Sequence, residues 1–399
     1  MTQETLRQPR AAGWIPPAVL VGCTSVSILS TDLYAPSLPH LPRLLGTNAE
    51  TAQLTMSINF AAYAFAQLLH GPLADRFGRR RLLILGLLGF LLTSLACAAT
   101  PNIEGLLAGR FAQGLCSSVP AVVVILIIRE LYEEDRAVRI MGAYGMAIGL
   151  APAVGPLIGG YIHVYLGWRA NFLTLAVLAG LVTLLVLRFL PETGTRDRGA
   201  LQPKRIASGY ARLLLRPAYL RYLIPLSAVF GAFFAFVTAG PFLLIDRLGI
   251  ATENYGLYYG SLVLCFMAGS LAANRFAGRI SADRLVQAAI ALALLGGLTL
   301  GLPVIAGQEG LLPIMAGLML LTFGLGLILA AGPICQLDAA GNAPLGPASA
   351  LVGSTQLASA SLAGVLVAAF HDGTAMPLAA TIAGFAVVAA LGYVALGRR

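Results

Sequence analysis

Along most of its length the chain alternates long apolar runs with short polar breaks. The runs fall at residues 14–38, 52–74, 82–100, 103–128, 138–162, 169–190, 218–244, 254–276, 284–306, 311–334, 346–370 and 376–396. A helix needs about 20 apolar residues to cross the hydrocarbon of a bilayer, so the pattern predicts twelve spans. The first run carries no evident A-x-A cleavage site and is read as a span rather than a leader. Pro191 to Arg216 is the longest hydrophilic stretch, with Arg196, Arg198, Lys204, Arg205, Arg212 and Arg216, and it divides the spans six and six. The expected organisation is an all-α membrane protein: a six-helix bundle over 1–190, a linker at 191–217 and a second six-helix bundle over 218–399.

A faint internal repeat supports two halves. Gly71-Pro-Leu-Ala-Asp-Arg-Phe-Gly-Arg-Arg lies 199 residues before Ser270-Leu-Ala-Ala-Asn-Arg-Phe-Ala-Gly-Arg, which brings Arg76 onto Arg275 and Phe77 onto Phe276. Both copies follow the second span of a half. Parallel repeats facing one another are a transporter architecture in which the site lies between them.

Composition narrows the class. Of 399 residues 58% are hydrophobic and 11% charged, against about 25% charged in soluble domains. The net charge of +9 does not point to nucleic acid, because the basic residues sit in short breaks between spans. With the N-terminus placed inside, 22 of the 26 Lys and Arg fall on the cytoplasmic side, leaving Arg43, Arg169 and Arg247 outside and Arg110 within a span. That is the positive-inside asymmetry, and it puts both termini in the cytoplasm. The lone lysine, Lys204, follows no Gly-rich loop, so no Walker A site is read. Five scattered cysteines imply neither disulfides nor zinc. His40, His70, His163 and His371 show no ligand spacing and receive no role. Neither cofactor, metal nor catalytic set is expected.

Ionisable side chains inside a span are costly and default to a functional reading. Two stand out: Asp32 in the first span and Arg110 in the fourth. Each lies about seven residues from its outer end, roughly 10 Å at helical rise. Similar depth and opposite charge suggest that they lie close, directly or through water. The alternative is an ion pair that only fixes packing. Ser25, Gln113 and Ser117 fall on the same helical faces and favour a hydrated slot.

The segment from Gly71 to Arg81 reads as a tight basic turn at the membrane surface. Gly71 and Gly78 permit a sharp turn and close approach. Asp75 is suited to helix N-terminal amides, and Arg76, Arg79, Arg80 and Arg81 to the acids Glu130, Glu133, Glu134 and Asp135. Glu130 is the favoured partner of Arg76 or Arg79. A run serving topology alone would explain the arginines but not the Asp and glycines, so a gating role is expected. In the fifth span Gly155 and Gly159 form a small-xxx-small face, followed by Gly160, while Pro152 and Pro156 invite a bend against the other half. Asn59, Tyr63 and Gln67 recur every fourth position and, with Tyr34, Gln113 and Phe236, are the substrate-cavity candidates. Phe233, Phe234, Tyr258, Tyr259 and Phe266 are further aromatic candidates, with packing or lipid contact as the alternative.

Four stretches resemble the drug-exporting branch of the major facilitator superfamily, and especially its Bcr/CflA type. Gly71–Arg80 is similar to motif A, Leu106–Gly114 to motif B, and Ala151–Gly160 to the antiporter motif C. Asp32-Leu-Tyr-Ala-Pro-Ser-Leu-Pro resembles the exporter motif closing span one. Trp168-Arg169 and Leu190-Pro-Glu-Thr also match, and Gly346-Pro-Ala-Ser-Ala is the clearest echo in the second half. Ala151 departs from a motif C glycine, and Thr24 stands where some multidrug members have a second acid. The resemblance implies a monomeric antiporter of the bacterial inner membrane that uses the proton gradient to export small amphipathic compounds, with Asp32 carrying the proton and Arg110 modulating it. An exporter of a metabolite (sugar, amino acid or siderophore) is the alternative. The implied partners are the small-molecule substrate, protons and the lipid bilayer.

Overall fold

The computed structural model describes residues 17–193, 197, 199–341 and 345–397, with backbone alone at 134–135, 138, 142–143, 146–148, 203, 205 and 345. The polar start of the chain, Arg196 and Arg198, and the side chains of Glu134, Asp135 and Arg205 therefore lie outside the described residues. The first half contains α1 (Pro17–Asp32), a 3-10 turn (Ala35–His40), α2 (Leu41–Leu45), α3 (Ala49–Phe77), α4 (Arg79–Ala99), α5 (Ile103–Leu131), α6 (Glu134–Leu166) and α7 (Trp168–Phe189). After the linker helix α8 (Pro203–Leu214) come α9 (Pro217–Pro241), α10 (Tyr255–Phe276), α11 (Ala282–Ile305), α12 (Leu311–Ala340), α13 (Leu345–Ala369) and α14 (Met376–Ala395).

Eleven helical segments among the described residues are long and apolar enough to cross a membrane. The twelfth expected span, α3, has 29 residues but is more polar. Its Gln53, Thr55, Ser57 and Asn59 are buried against protein, so they need no contact with lipid. Outward positions on the other helices are apolar, as at Leu92, Val177, Leu264 and Leu312. Asn48 and Asn102 start α3 and α5 by accepting from the amides of Thr51 at 2.8 Å and Gly105 at 3.0 Å, which satisfies N–H groups that a helix start leaves open.

The expected eleven-residue turn contracts to a single residue. Helix α3 runs through Phe77 and α4 begins at Arg79, with Gly78 between them at φ +99°, a region open to glycine and strained for other residues. A Cβ at Gly71 would meet nothing within 4 Å, so the close approach expected there is absent. The second half repeats the break: α10 ends at Phe276, and Gly278 has φ +79°.

Two long seams join the halves, α3 against α13 and α6 against α10. In the first, the Ser361 hydroxyl donates to the carbonyl of Ser57 and Ser354 to that of Ala64, both at 2.8 Å. The donors and the acceptors are each seven residues apart, two turns of helix. Gln53 and His371 meet at 3.2 Å at the end of this seam. That end, which also carries Arg43, Arg169 and Arg247, is called the far end; the Gly78 break marks the hinge end.

In the second seam Gly256 sits against the backbone of Leu157, and a Cβ at Gly160 would lie 2.7 Å from the carbonyl oxygen of Thr252. His40 Nε2 and Thr252 Oγ1 meet at 3.0 Å, so the far end is bridged by two histidines that the sequence left without a role. At the hinge end the linker joins in. The Tyr210 hydroxyl donates to the carbonyl of Leu68 at 2.9 Å, which Pro72, four residues on, has no N–H to reach.

Candidate transport site between the halves

Helix α1 ends at Asp32, and its last carbonyls have no helical partner. Arg110 of α5 fills that need. It is fully buried, and its Nη1 donates to the carbonyl of Ser30 at 3.0 Å and to Oε1 of Gln113. Nε reaches the Thr55 carbonyl at 3.4 Å and Nη2 the sulfur of Met56 at 3.6 Å. The guanidinium lies 4.9 Å from the ring centroid of Tyr34 and 5.9 Å from that of Phe172. A cation at a helix C-terminus is favoured by the helix dipole, and ring faces add cation–π attraction.

The surrounding polar groups are absorbed into this cluster. Gln113 Nε2 donates to Ser94 Oγ at 2.8 Å, Asn59 Nδ2 donates to the Arg110 carbonyl at 2.8 Å, and the hydroxyls of Tyr34 and Thr55 meet at 2.8 Å. Tyr34, Asn59 and Gln113 are thus sealed in protein rather than facing an open cavity, a correction to the expectation that they line one. Phe236 is also fully buried, stacked on Tyr259 with centroids 6.2 Å apart. Tyr63 and Gln67 are half-buried, and Gln67 faces Gly353 of α13. An open cleft is found elsewhere, at the far end, where Pro39 and Pro42 face Phe242, Asp246 and His371.

Asp32 does not meet Arg110. Only 5% exposed, it has its Cβ where a Cβ at Gly155 would lie 2.6 Å away, and its Oδ1 accepts from the Tyr259 hydroxyl at 3.4 Å. The carboxylate therefore faces α6 and α10, while the guanidinium is taken up by the carbonyl two residues back and by α3 and α5. The two groups thus make no direct pair in this structure. Equal depth said nothing about which side of α1 each group approaches.

The glycines of α6 serve that same contact. Gly155 faces Asp32, Gly159 lies against the carbonyl of Leu33, and Gly160 alone of the three reaches the other half. The helix is one continuous element through Pro152 and Pro156.

At the hinge, Arg79 is the arginine that meets Glu130. Its Nη2 pairs with Glu130 at 2.9 Å and with Asp75 at 2.8 Å, and Nη1 donates to the Ala74 carbonyl at 3.1 Å. Asp75 thus holds a guanidinium instead of the helix amides expected. The Arg80 amide donates to Glu192 at 3.0 Å and its guanidinium to the Leu187 carbonyl at 3.0 Å. These bonds tie α3, α4, α5 and the end of α7 together within one half.

Sequence reasoning missed Tyr259 as the partner of Asp32, since nothing local marks a contact across 227 positions. Among the described residues no group of His, Cys, Asp and Glu converges as a metal site.

The family model described as Major Facilitator Superfamily matches residues 20–368. The chain is similar to the bicyclomycin resistance protein homolog of Haemophilus influenzae, 28% identical over 375 residues and covering 92% of each chain. It is also similar to a chloramphenicol resistance protein of Pseudomonas aeruginosa, 32% identical over 256 residues, which cover 63% of this chain and 58% of the relative. In fold it resembles a peptide transporter, POT, crystallised with alafosfalin (TM-score 0.76, 16% identity, 96% of this chain and 94% of the other). The eleven apolar span-length segments together with α3, the paired seams and these likenesses agree on one conclusion: the chain is a multi-pass membrane transporter and belongs to the Major Facilitator Superfamily.

Proposed function

We propose that the protein exports small amphipathic compounds, amphenicol- or bicyclomycin-like, across the bacterial inner membrane in exchange for protons. The observation that carries this reading is Asp32, a buried carboxyl in a membrane-crossing bundle that touches both halves, through Gly155 on one side and Tyr259 on the other. The resistance phenotypes for which the bicyclomycin and chloramphenicol relatives are named support the substrate class. Burial favours a neutral carboxyl and hydrogen bonding favours the carboxylate, so small rearrangements load or release a proton there. Arg110 acts on Asp32 as a positioning residue, by holding the Ser30 carbonyl two residues away. The six-helix units at 1–190 and 218–399, joined by 191–217, move against each other in a monomer whose termini and hinge end face the cytoplasm. The Arg79–Asp75–Glu130 cluster keeps the hinge end of the first unit rigid during that motion, and the α6 glycines let α1 and α6 move together.

One charge moving inward through 100 mV releases about 2.3 kcal/mol. That sustains a substrate gradient of roughly 40-fold. The test is resistance profiling in efflux-deficient cells, with chloramphenicol and bicyclomycin, with and without a protonophore. Expression raises resistance in a protonophore-sensitive manner, and Asp32→Asn abolishes it at equal protein level. Undiminished export by Asp32→Asn removes the carboxyl from its role. Protection only against excreted sugars, amino acids or siderophores assigns the same machinery to a metabolite.

A further inference from the structure

An antiporter has to prevent its empty, deprotonated form from changing sides. If that form crosses freely, each cycle carries a proton inward with nothing exported, and the gradient drains. The structure places a restraint where this is decided. Asp32 belongs to the first half, yet its carboxylate accepts a hydrogen bond from Tyr259 of α10, in the second half, at 3.4 Å. Tyr259 lies one turn from Gly256, which packs on Leu157 and closes the far-end seam.

A second tyrosine stands beside the first. Tyr255 is fully buried, its ring centroid is 6.1 Å from that of Tyr259, and its hydroxyl has no hydrogen-bond partner among the described residues. Arg110 is turned to Ser30 and Gln113 and does not compete for the carboxylate.

We infer that Tyr259, with Tyr255 as its reserve donor, locks the far-end seam whenever Asp32 is charged and no substrate is bound. The inference rests on the proton-coupled reading above. Hydrogen bonds to a carboxylate shorten to about 2.5–2.7 Å and are roughly twice as strong as neutral ones, so the 3.4 Å contact has room to tighten on α10 when Asp32 is charged and relaxes when it is neutral. Two events release the lock. A proton neutralises Asp32, or a substrate bearing a neutral hydroxyl or amide takes over the tyrosine and carboxylate bonds. Only the loaded forms then reorient, which is the condition for exchange without leak. The two tyrosines are positioning residues in this scheme; Asp32 alone carries the proton.

The experiment reads proton flux without any substrate. Purified protein is reconstituted into liposomes enclosing a pH-sensitive dye, and a pH gradient is imposed. Wild type stays nearly as tight as empty liposomes. Tyr259→Phe, which keeps the ring and removes the donor, leaks about tenfold faster, the factor lost with one weak charge-assisted bond. Tyr255→Phe gives a smaller rise and serves in its place should Tyr259→Phe not reconstitute. Asp32→Asn combined with Tyr259→Phe is tight again, because no proton carrier remains. Hydrogen–deuterium exchange of peptides around Gly160 and Gly256 rises in Tyr259→Phe relative to wild type at the same pH.

Tightness in both tyrosine variants overturns the lock, as does unchanged exchange at the seam. A leak that persists without Asp32 overturns the lock and the proton route together. Asp32→Asn that still exports chloramphenicol against a gradient overturns the proposed function itself, whatever the tyrosines do. Loss of export in Asp32→Asn with both tyrosine variants tight overturns the lock alone.

Discussion

Whether Arg110 serves Asp32 as a counter-ion or α1 as a helix cap can be decided by double-mutant cycles. A carboxylate and guanidinium at 4 Å interact by about 4 kcal/mol at an effective dielectric of 20. The structure instead gives Arg110 a bond to Gln113, a carbonyl at Ser30 and two ring faces. Hydrogen bonds between membrane helices couple by about 0.6 kcal/mol on average and at most about 1.7, and a desolvated cation–π contact contributes about 1–2 kcal/mol. The expected couplings are therefore about 1–2 kcal/mol for Arg110→Met with Gln113→Leu, a similar value with Tyr34→Leu, and under about 1 kcal/mol with Asp32→Asn. Unfolding in mixed micelles, followed by tryptophan fluorescence, gives each corner of the three cycles. A coupling to Asp32 larger than those to Gln113 and Tyr34 would refute the cap and restore the ion pair. Arg110→Lys discriminates further: a lysine can reach one carbonyl but lacks the fork, so it recovers part of the stability and part of the transport.

Two further substitutions address packing. Gly159→Ala puts a methyl against the Leu33 carbonyl, which is backbone and cannot swing aside; overpacking of this kind costs about 1–3 kcal/mol and is expected to remove transport, whereas Gly149→Ala, with open space around it, stays within about 0.5 kcal/mol of wild type in thermal unfolding. Tyr210→Phe leaves the Leu68 carbonyl unpaired at a cost of about 1 kcal/mol, and in a Pro72→Ala background, where an amide can reach that carbonyl, the cost vanishes; equal costs in both backgrounds would refute the role given to Pro72.

The fold was largely legible because spanning a bilayer imposes length and apolarity together, and few sequences satisfy both by accident. Even α3, the most polar of the spans, was found from its flanking breaks and from the repeat that pairs Phe77 with Phe276. The site was legible only in part. Asp32 and Arg110 were identified by the cost of charge in hydrocarbon, and the Arg79–Glu130 pair by facing loops of opposite sign. What failed was azimuth. The prolines at 36, 39 and 42 already signalled that regular helix stops near Asp32, hence that open carbonyls lie there to attract a cation. Taking the span to 38 hid that consequence. Contacts across the halves, such as Tyr259 on Asp32 or Ser361 on Ser57, have no local signature, because the bundle alone brings such distant segments together.

The two seams differ in a way that bears on how the halves part. Along α3 and α13 the contact is made by side-chain hydrogen bonds at Ser361, Ser354 and Gln53. At the membrane average these three amount to about 2 kcal/mol. Along α6 and α10 the contact is glycine against backbone, with the Asp32–Tyr259 and His40–Thr252 bonds added. Neither seam is strong. The proposed cycle requires this: a single proton crossing 100 mV yields about 2.3 kcal/mol, so a seam held by much more would never open on that supply, and one held by much less would open unprompted. Small residues and bonds to backbone carbonyls keep each seam near that limit, since they pack closely yet leave no buried charge exposed when separated. A carboxylate set into the α6–α10 seam then decides, by gaining or losing one proton, which side of the balance it falls on.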